Sequence, residues 1–298
     1  MSSELTHRTA ARESLKTVAR EPGVPKPDPI LVADSVTREF GGLTAVDVAH
    51  LEVQRGAITA LIGPNGAGKT TLFNLLTGFD TANTGEWTFD GRAMAGTPPY
   101  KVARLGMVRT FQLTKALAKM TVLENMKLGA PNQRGENFWM ALLPTTWRRQ
   151  EAEVAAKAGR ILAHFSLADK GEDFAGSMSG GQRKLLEMAR ALMVDPSLVM
   201  LDEPMAGVNP ALKESLLDHI RDLRERGMTV LFVEHDMDMV RDVSDWVVVM
   251  GQGRIIAEGP PTEVMQEQAV IDAYLGEHHS VSLDTNSTGL GPGTGEAS

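Results

Sequence analysis

Three stretches of this chain concentrate residue types that handle phosphate. The first is Gly63-Pro64-Asn65-Gly66-Ala67-Gly68-Lys69-Thr70, a complete GxxxxGK[ST] loop. It follows the apolar run Ala57 to Ile62, which reads as a buried strand. It precedes Thr71-Leu72-Phe73-Asn74-Leu75-Leu76, which reads as the first turns of a helix. In that context the glycines let successive backbone N–H groups turn inward around a phosphate, and the helix start adds its partial positive charge. Lys69 would reach the β- and γ-phosphates of a nucleoside triphosphate, and the Thr70 hydroxyl would bind Mg²⁺. The plain alternative is a Gly-rich turn, but a chance match in a chain of this length has odds on the order of one in a hundred.

The second stretch, Ser179-Gly180-Gly181-Gln182, opens a helical apolar pattern of Leu185, Leu186, Met188, Ala189, Leu192 and Met193. Ser179 can accept a helix N–H bond or donate to a phosphate, and the two glycines leave their N–H groups open to an anion. The third is Leu198-Val199-Met200-Leu201-Asp202-Glu203-Pro204, an apolar strand ending in two carboxylates. An α/β sheet presents its chemistry at such strand ends. Asp202 suits a Mg²⁺ ligand acting through water, and Glu203 suits the base that polarises an attacking water. Many strands end in a solvated acid; the order of loop, Ser-Gly-Gly turn and Asp-Glu makes this one specific.

The elements around these stretches predict an α/β fold, a P-loop NTPase core of mixed or parallel sheet with flanking helices. Residues 1–29 end in Pro22-Gly23-Val24-Pro25-Lys26-Pro27-Asp28-Pro29 and read as a flexible or extended lead-in. Ile30 to Phe89 reads as short strands around the P-loop helix, with a hairpin turn at Asp90-Gly91. From about 113 to 176 the pattern turns helical, with a capping box at Thr121-Val122-Leu123-Glu124 and a helix from Arg149 to Phe165. The intervening loop carries Phe138, Trp139, Leu142 and Leu143, either a satellite core or a surface for a membrane partner. Residues 176–250 return to strand–helix alternation, which implies parallel strands with crossover helices. Gly251-Gln252-Gly253 turns a last hairpin, Pro261 to Leu275 is helical, and the Gly/Ser/Thr-rich segment 277–298 reads as disordered.

With these motifs in this order, residues 30–276 resemble the ATP-binding subunit of ATP-binding-cassette (ABC) proteins. The resemblance implies an antiparallel β subdomain and a helical signature subdomain beside the core, with ATP and Mg²⁺ as ligands. Ser177-Met178-Ser179-Gly180-Gly181-Gln182 is similar to the family signature, with Met178 where leucine is commoner. Gln112 sits where the family places a glutamine that contacts Mg²⁺ and the water. His235, alone an ordinary histidine at a strand end, matches the family's switch histidine and would bond the γ-phosphate and hold Glu203 and the water in line. Phe40 lies where the family stacks an aromatic on adenine, with Val46 at the side of the ring; the alternative for Phe40 is a core phenylalanine on an edge strand. Asn209 stands where aspartate is commonest. That asparagine, Arg38-Glu39-Phe40-Gly41-Gly42-Leu43, Glu234-His235-Asp236-Met237 and Ala273-Tyr274-Leu275-Gly276 resemble branched-chain amino-acid importer subunits. Related importers of urea, short amides or other amino acids share such features.

Composition narrows the setting. The net charge of −8 does not suggest a nucleic-acid surface, and the absence of cysteine excludes disulfides and thiolate metal sites. No apolar run is long enough to span a membrane, and Met1-Ser2-Ser3-Glu4 opens no signal-peptide core. The resemblance therefore implies a peripheral subunit on the cytoplasmic face of a membrane. It would be joined to integral-membrane permease subunits and, through them, to a solute-binding protein. One P-loop and one signature imply a second ATP-binding subunit, a copy or a paralogue, in a head-to-tail dimer whose ATP lies between one subunit's P-loop and the other's signature. A soluble ABC ATPase would carry two cassettes or long heptad arms, which residues 71–178 lack. An unrelated P-loop kinase or GTPase would lack the Ser-Gly-Gly-Gln turn and His235.

Overall fold

A computed structural model describes residues 11–110, 116–131 and 144–275. Gln112, Phe138, Trp139, Leu142, Leu143, Gly276 and the segment 277–298 lie outside the described residues. Among the described residues, ten strands form two sheets. The larger sheet holds β3 (Ile58–Ile62), β6 (Met107–Arg109), β7 (Leu198–Asp202), β8 (Thr229–Val233), β9 (Trp246–Gly251) and β10 (Arg254–Gly259), in the order β10-β9-β3-β8-β7-β6. Its strands pair in parallel except for β10, which closes one edge as the antiparallel arm of a hairpin. The smaller sheet is antiparallel, β2 (Leu43–Gln54), β1 (Pro29–Phe40), β4 (Thr84–Phe89) and β5 (Arg92–Ala93).

The residue pattern explains the layering. Every residue of β3, β7, β8 and β9 is buried, as expected of parallel strands covered on both faces. Their side chains alternate between two cores. Ile58, Ala60 and Ile62 of β3, with Val199, Leu201, Val230 and Phe232, face one core. That core also takes the helices α3 (Val122–Leu128), α4 (Pro144–His164), α5 (Gly180–Ala191) and α6 (Pro210–Glu225). Leu61, Leu198, Met200, Leu231 and Val233 face the other, which they share with the P-loop helix α1 (Lys69–Leu76) and the antiparallel sheet. α1 thus belongs to a core built from both sheets. The short helices α2 (Pro99–Arg104), α7 (Met237–Val243) and α8 (Pro261–Val264) lie between or after the strands.

The expected punctuation forms. Thr121 Oγ1 accepts from the Glu124 N–H at 3.1 Å while Glu124 accepts from the Thr121 N–H at 2.7 Å, so the capping box opens α3. Asp90-Gly91 and Gln252-Gly253 adopt positive φ in their hairpins. The helical stretch expected from Pro261 to Leu275 is broken after α8 and resumes at 268–275.

Among the described residues before β1, 11–28 pack against the domain. Residues 11–15 are helical, Leu15 is buried, and Arg12 pairs with Asp245 at 2.7 Å. Lys26 lies deeper still, its ammonium 2.7 Å from Glu258 with side-chain exposures of 1% and 0%. Trp246 Nε1–H donates to the same carboxylate at 2.8 Å and the Val24 N–H at 3.0 Å. Lys26 Nζ donates in turn to the Val24 carbonyl at 2.8 Å. A buried Glu258 demands a counter-charge, and the Pro-rich strap delivers it. Lys26→Met therefore costs on the order of 3–5 kcal/mol, because it leaves one charge buried alone, and Lys26→Met with Glu258→Gln recovers part of that loss. Denaturant unfolding of the two variants checks both results.

Candidate active site

Strand order places the chemistry. β3, β8 and β7 are parallel neighbours, with Leu61 opposite Val233 and Val233 opposite Asp202. Their carboxyl ends therefore open side by side, β3 into Gly63, β8 into Glu234-His235 and β7 into Glu203. Three motifs far apart in sequence meet on one edge of the sheet.

The P-loop backbone is fixed by two glycines that nothing larger can replace. Gly63 has φ +148°, and a Cβ there would stand 2.1 Å from the Met250 carbonyl oxygen. Gly68 has φ +96°, and its Cβ would stand 2.2 Å from the Ala45 carbonyl oxygen. The loop is also tied sideways through Gly253, whose N–H donates to Ala67 O at 3.0 Å and whose carbonyl accepts from the Asp47 N–H at 2.8 Å. Lys69 is buried and donates to the carbonyls of Gly63 at 2.7 Å and Pro64 at 2.8 Å, so its ammonium curls over the loop that it follows. Asn65 and Gly66 at the loop tip and Thr70 are exposed, Ala67 is buried and Thr71 is partly buried. A glycine-lined loop with a cation over it fits the triphosphate of a nucleotide.

Asp202 is buried, and its charge is met by Arg109 at 2.6 Å. Arg109 ends β6, donates also to Asn74 Oδ1 of α1 at 2.6 Å, and lies over the Phe73 ring at 5.5 Å. One buried guanidinium thus joins the P-loop helix to the end of β7. Sequence reasoning passed over Arg109; the signal was an arginine closing a short apolar strand that leads into Gln112. The oxygen donors Thr70 and Asp202 suit Mg²⁺, which takes one or two protein ligands and leaves the rest to phosphate and water.

Glu203 has φ +47°, rare for a residue with a side chain. Its Oε1 accepts from His235 Nε2–H at 3.0 Å, so the two residues chosen from sequence as base and switch are in direct contact. Beneath them Glu234 is buried and accepts from the N–H groups of Met205 at 2.8 Å and His235 at 3.1 Å. Burial pushes the Glu234 carboxyl up, against those backbone donors. Asp236 caps α7 and pairs with Lys213 at 2.9 Å, which holds its carboxyl below the usual range.

Ser179 caps α5. Its hydroxyl accepts from the Gln182 N–H at 3.2 Å and Gln182 Oε1 accepts from the Ser179 N–H at 3.0 Å, a second capping box. The two glycines differ. A Cβ at Gly180 would meet nothing within 4 Å, whereas one at Gly181 would stand 2.0 Å from Leu212 Cδ2. Gly180 thus leaves space for an approaching ligand, while Gly181 lets α6 pack. Asn209 is the N-cap of α6 and accepts from the Leu212 N–H at 3.0 Å, a bond that aspartate would make with a charge.

Phe40 is 47% exposed at the end of β1 with the Arg38 guanidinium 4.4 Å from its ring, so it is not the core phenylalanine that was the alternative. The Ala45 contact with Gly68 sets its hairpin beside the P-loop. Val46 is fully buried in the core, so contact with the side of a ring would require β2 to move.

Comparison with known proteins agrees with this arrangement. A family model described as "ABC transporter" matches residues 46–206, the span holding the P-loop, the Ser179 turn and Glu203. A second, "Branched-chain amino acid ATP-binding cassette transporter", matches residues 254–280. The chain is 41% identical over 251 residues to the probable branched-chain amino acid transport ATP-binding protein LivG of Archaeoglobus fulgidus, which covers 84% of this chain and 97% of that relative. It is 42% identical over 251 residues to the high-affinity branched-chain amino acid transport ATP-binding protein BraF of Pseudomonas aeruginosa, at 84% and 98% coverage. Among solved structures, a nucleotide-free ATP-binding cassette from an ABC transporter superimposes with a TM-score of 0.73 at 38% identity, covering 83% of this chain and 98% of that one. An ATP-binding cassette of an ABC transporter in its ADP conformation gives 0.72 at 36% identity, covering 83% and 99%. The fold and the phosphate loop agree with these relatives, and the chain belongs to the ABC transporter family as one of its ATP-binding subunits.

Proposed function

We propose that this chain hydrolyses ATP to power uptake of branched-chain amino acids, as a peripheral subunit on the cytoplasmic face of a membrane. The observation that carries the ATPase reading is the 3.0 Å bond between His235 Nε2 and Glu203 Oε1 at the strand edge that also bears the P-loop. Lys69 and the loop N–H groups bind the phosphates. Glu203 takes the proton of the attacking water, and His235 fixes the direction of that carboxylate. Thr70 and Asp202 would hold Mg²⁺ with Gln112 beside it, and the ion would neutralise charge developing on the transferred phosphoryl group. Phe40 stacks on the adenine. The solute follows from the names of the relatives and from the model matching residues 254–280, because no residue of an ATP-binding subunit touches the transported molecule. No helix of the described residues is long and apolar enough to cross a membrane, so the path for the solute belongs to permease subunits, fed by a solute-binding protein.

Ser179 and Gly180 belong to a second, partner-facing half-site. ATP bound on one subunit's P-loop would be closed over by the Ser179 turn of a copy or paralogue. The γ-phosphate supplies contacts that exist only in the closed dimer, the differential affinity that a switch requires.

Glu203→Gln lowers turnover on the order of 10²–10⁴-fold while ATP stays bound, so the variant accumulates as a closed dimer. Lys69→Ala weakens nucleotide binding instead and traps no dimer. Steady-state ATPase assays with size-exclusion chromatography separate the two, and parental turnover in Glu203→Gln removes the base assignment.

Composite sites also predict complementation. Neither Lys69→Ala nor Ser179→Arg dimers contain an intact site, but a mixed dimer contains one, so mixing the inactive proteins restores activity. Activity that stays linear with concentration into the monomer range contradicts a shared site. For the solute, a strain lacking this chain and its paralogues takes up leucine, isoleucine and valine poorly, and Lys69→Ala does not restore uptake. Normal uptake of all three rejects the solute while leaving the ATPase reading intact.

A further inference from the structure

Helix α5 reaches the catalytic edge through Lys184, four residues beyond the Gly180 that opens the helix. The side chain is partly buried, and its Nζ donates to the main-chain carbonyls of Glu203 and Pro204, both at 3.1 Å. Those carbonyls form the turn in which Glu203 holds its positive φ of 47°. A residue with a side chain stays in that region only where its surroundings enforce it. The Ala206 N–H bond to Glu203 O at 3.1 Å holds the same turn from the chain beyond. Two carbonyls aimed together concentrate partial negative charge, and an ammonium between them offsets it.

The surroundings are arranged for this cation. Glu187 is buried one helical turn along α5, and Glu234 and Glu203 also act on Lys184. Burial lowers the Lys184 pKa and the three carboxylates oppose that shift. A cavity of about 20 Å³, room for a single water, lies between Thr110, Lys184, Glu187 and Asp202. The lysine thus stands where the ends of β6 and β7 meet the helix that Ser179 caps.

We propose that Lys184 is a positioning residue. It holds the Glu203–Pro204 turn so that the Glu203 carboxylate meets His235, and it thereby makes the catalytic geometry depend on where α5 sits. The proposal rests on Glu203 being the base. Because α5 begins at the half-site offered to a partner, a shift of the helix at Ser179 passes through Lys184 to the base on the same chain. A closed dimer would then set each subunit's own carboxylate as well as complete its neighbour's site.

The test is Lys184→Met in the full chain, which keeps the length of the stem and removes the donors. The expected result is a kcat lower on the order of 10- to 100-fold, with KM for ATP within about twofold of the parent and a Tm lowered by no more than a few degrees. Lys184→Arg restores most of the kcat. In a Glu203→Gln background, Lys184→Met leaves the ATP-trapped dimer intact, because the lysine acts on chemistry and not on closure. A Lys184→Met protein with parental kcat overturns the proposal. So does a variant whose kcat and Tm fall steeply together while KM rises, without rescue by arginine, which marks a purely structural contact. Loss of the trapped dimer in the double variant overturns it as well. If Glu203→Gln itself turns over at the parental rate, the base assignment fails and takes this proposal with it. If Glu203→Gln is inactive while Lys184→Met matches the parent, only the role of Lys184 fails.

Discussion

The parallel register of β7 and β8 is the constraint on which the catalytic edge depends. With Asp202 opposite Val233, the residues that follow each strand leave the sheet together, and His235 falls within hydrogen-bond reach of Glu203. A slip of one residue would turn every side chain of a strand to the opposite face and exchange its two cores. Val199 and Leu201 pack in one core and Leu198 and Met200 in the other, so the register that sets the catalytic geometry is also the one that fills both cores. β3, on the other side of β8, obeys the same register and brings the P-loop to the same edge.

Charges carry the architecture between those strands. Arg109 bonds Asp202 and Asn74, Glu234 accepts from Met205 and His235, and Lys184 donates to the Glu203 turn. Each adds a directed polar contact between elements that otherwise meet through backbone pairing or apolar packing. Buried charges of this kind cost desolvation and add little net stability, but removing one partner strands the other. Their value here is orientation: the carboxylates proposed to face a metal ion and a water, Asp202 and Glu203, stand at a strand end and in the turn after it, held by groups with fixed donor geometry. Lys26 and Glu258 apply the same principle away from the site, where the pair fastens the strap before β1 to the last hairpin.

What was legible in the sequence was what depends on local pattern. The P-loop is a local backbone shape set by glycines, the capping boxes at Thr121 and Ser179 need only residues three apart, and the central strands announce themselves as unbroken apolar runs. Asp202 and Glu203 could be chosen because they end or directly follow such a run, whereas His235 was chosen only through the family resemblance. Contacts between distant elements were not legible. Lys26 sat in a Pro-rich stretch that reads as a linker, and only the fold brings it to Glu258. Arg109 and Lys184 looked like ordinary cations beside motifs, since their partners lie on other strands. Gly181 read as an anion-facing glycine, and its missing side chain also makes room for Leu212, a contact that only the fold reveals. Phe40 could not be divided between core and surface until its exposure was known.

The central claim is that Glu203 and His235 act as one unit, the histidine through the carboxylate. A double-mutant cycle on single-turnover ATP hydrolysis tests it most directly, comparing the parent, Glu203→Gln, His235→Ala and the double variant at saturating ATP. The account predicts a double variant no slower than Glu203→Gln alone, because a histidine that works by aiming the base has nothing left to aim. Losses that multiply would show His235 acting on the phosphate or the water independently, and would contradict the account.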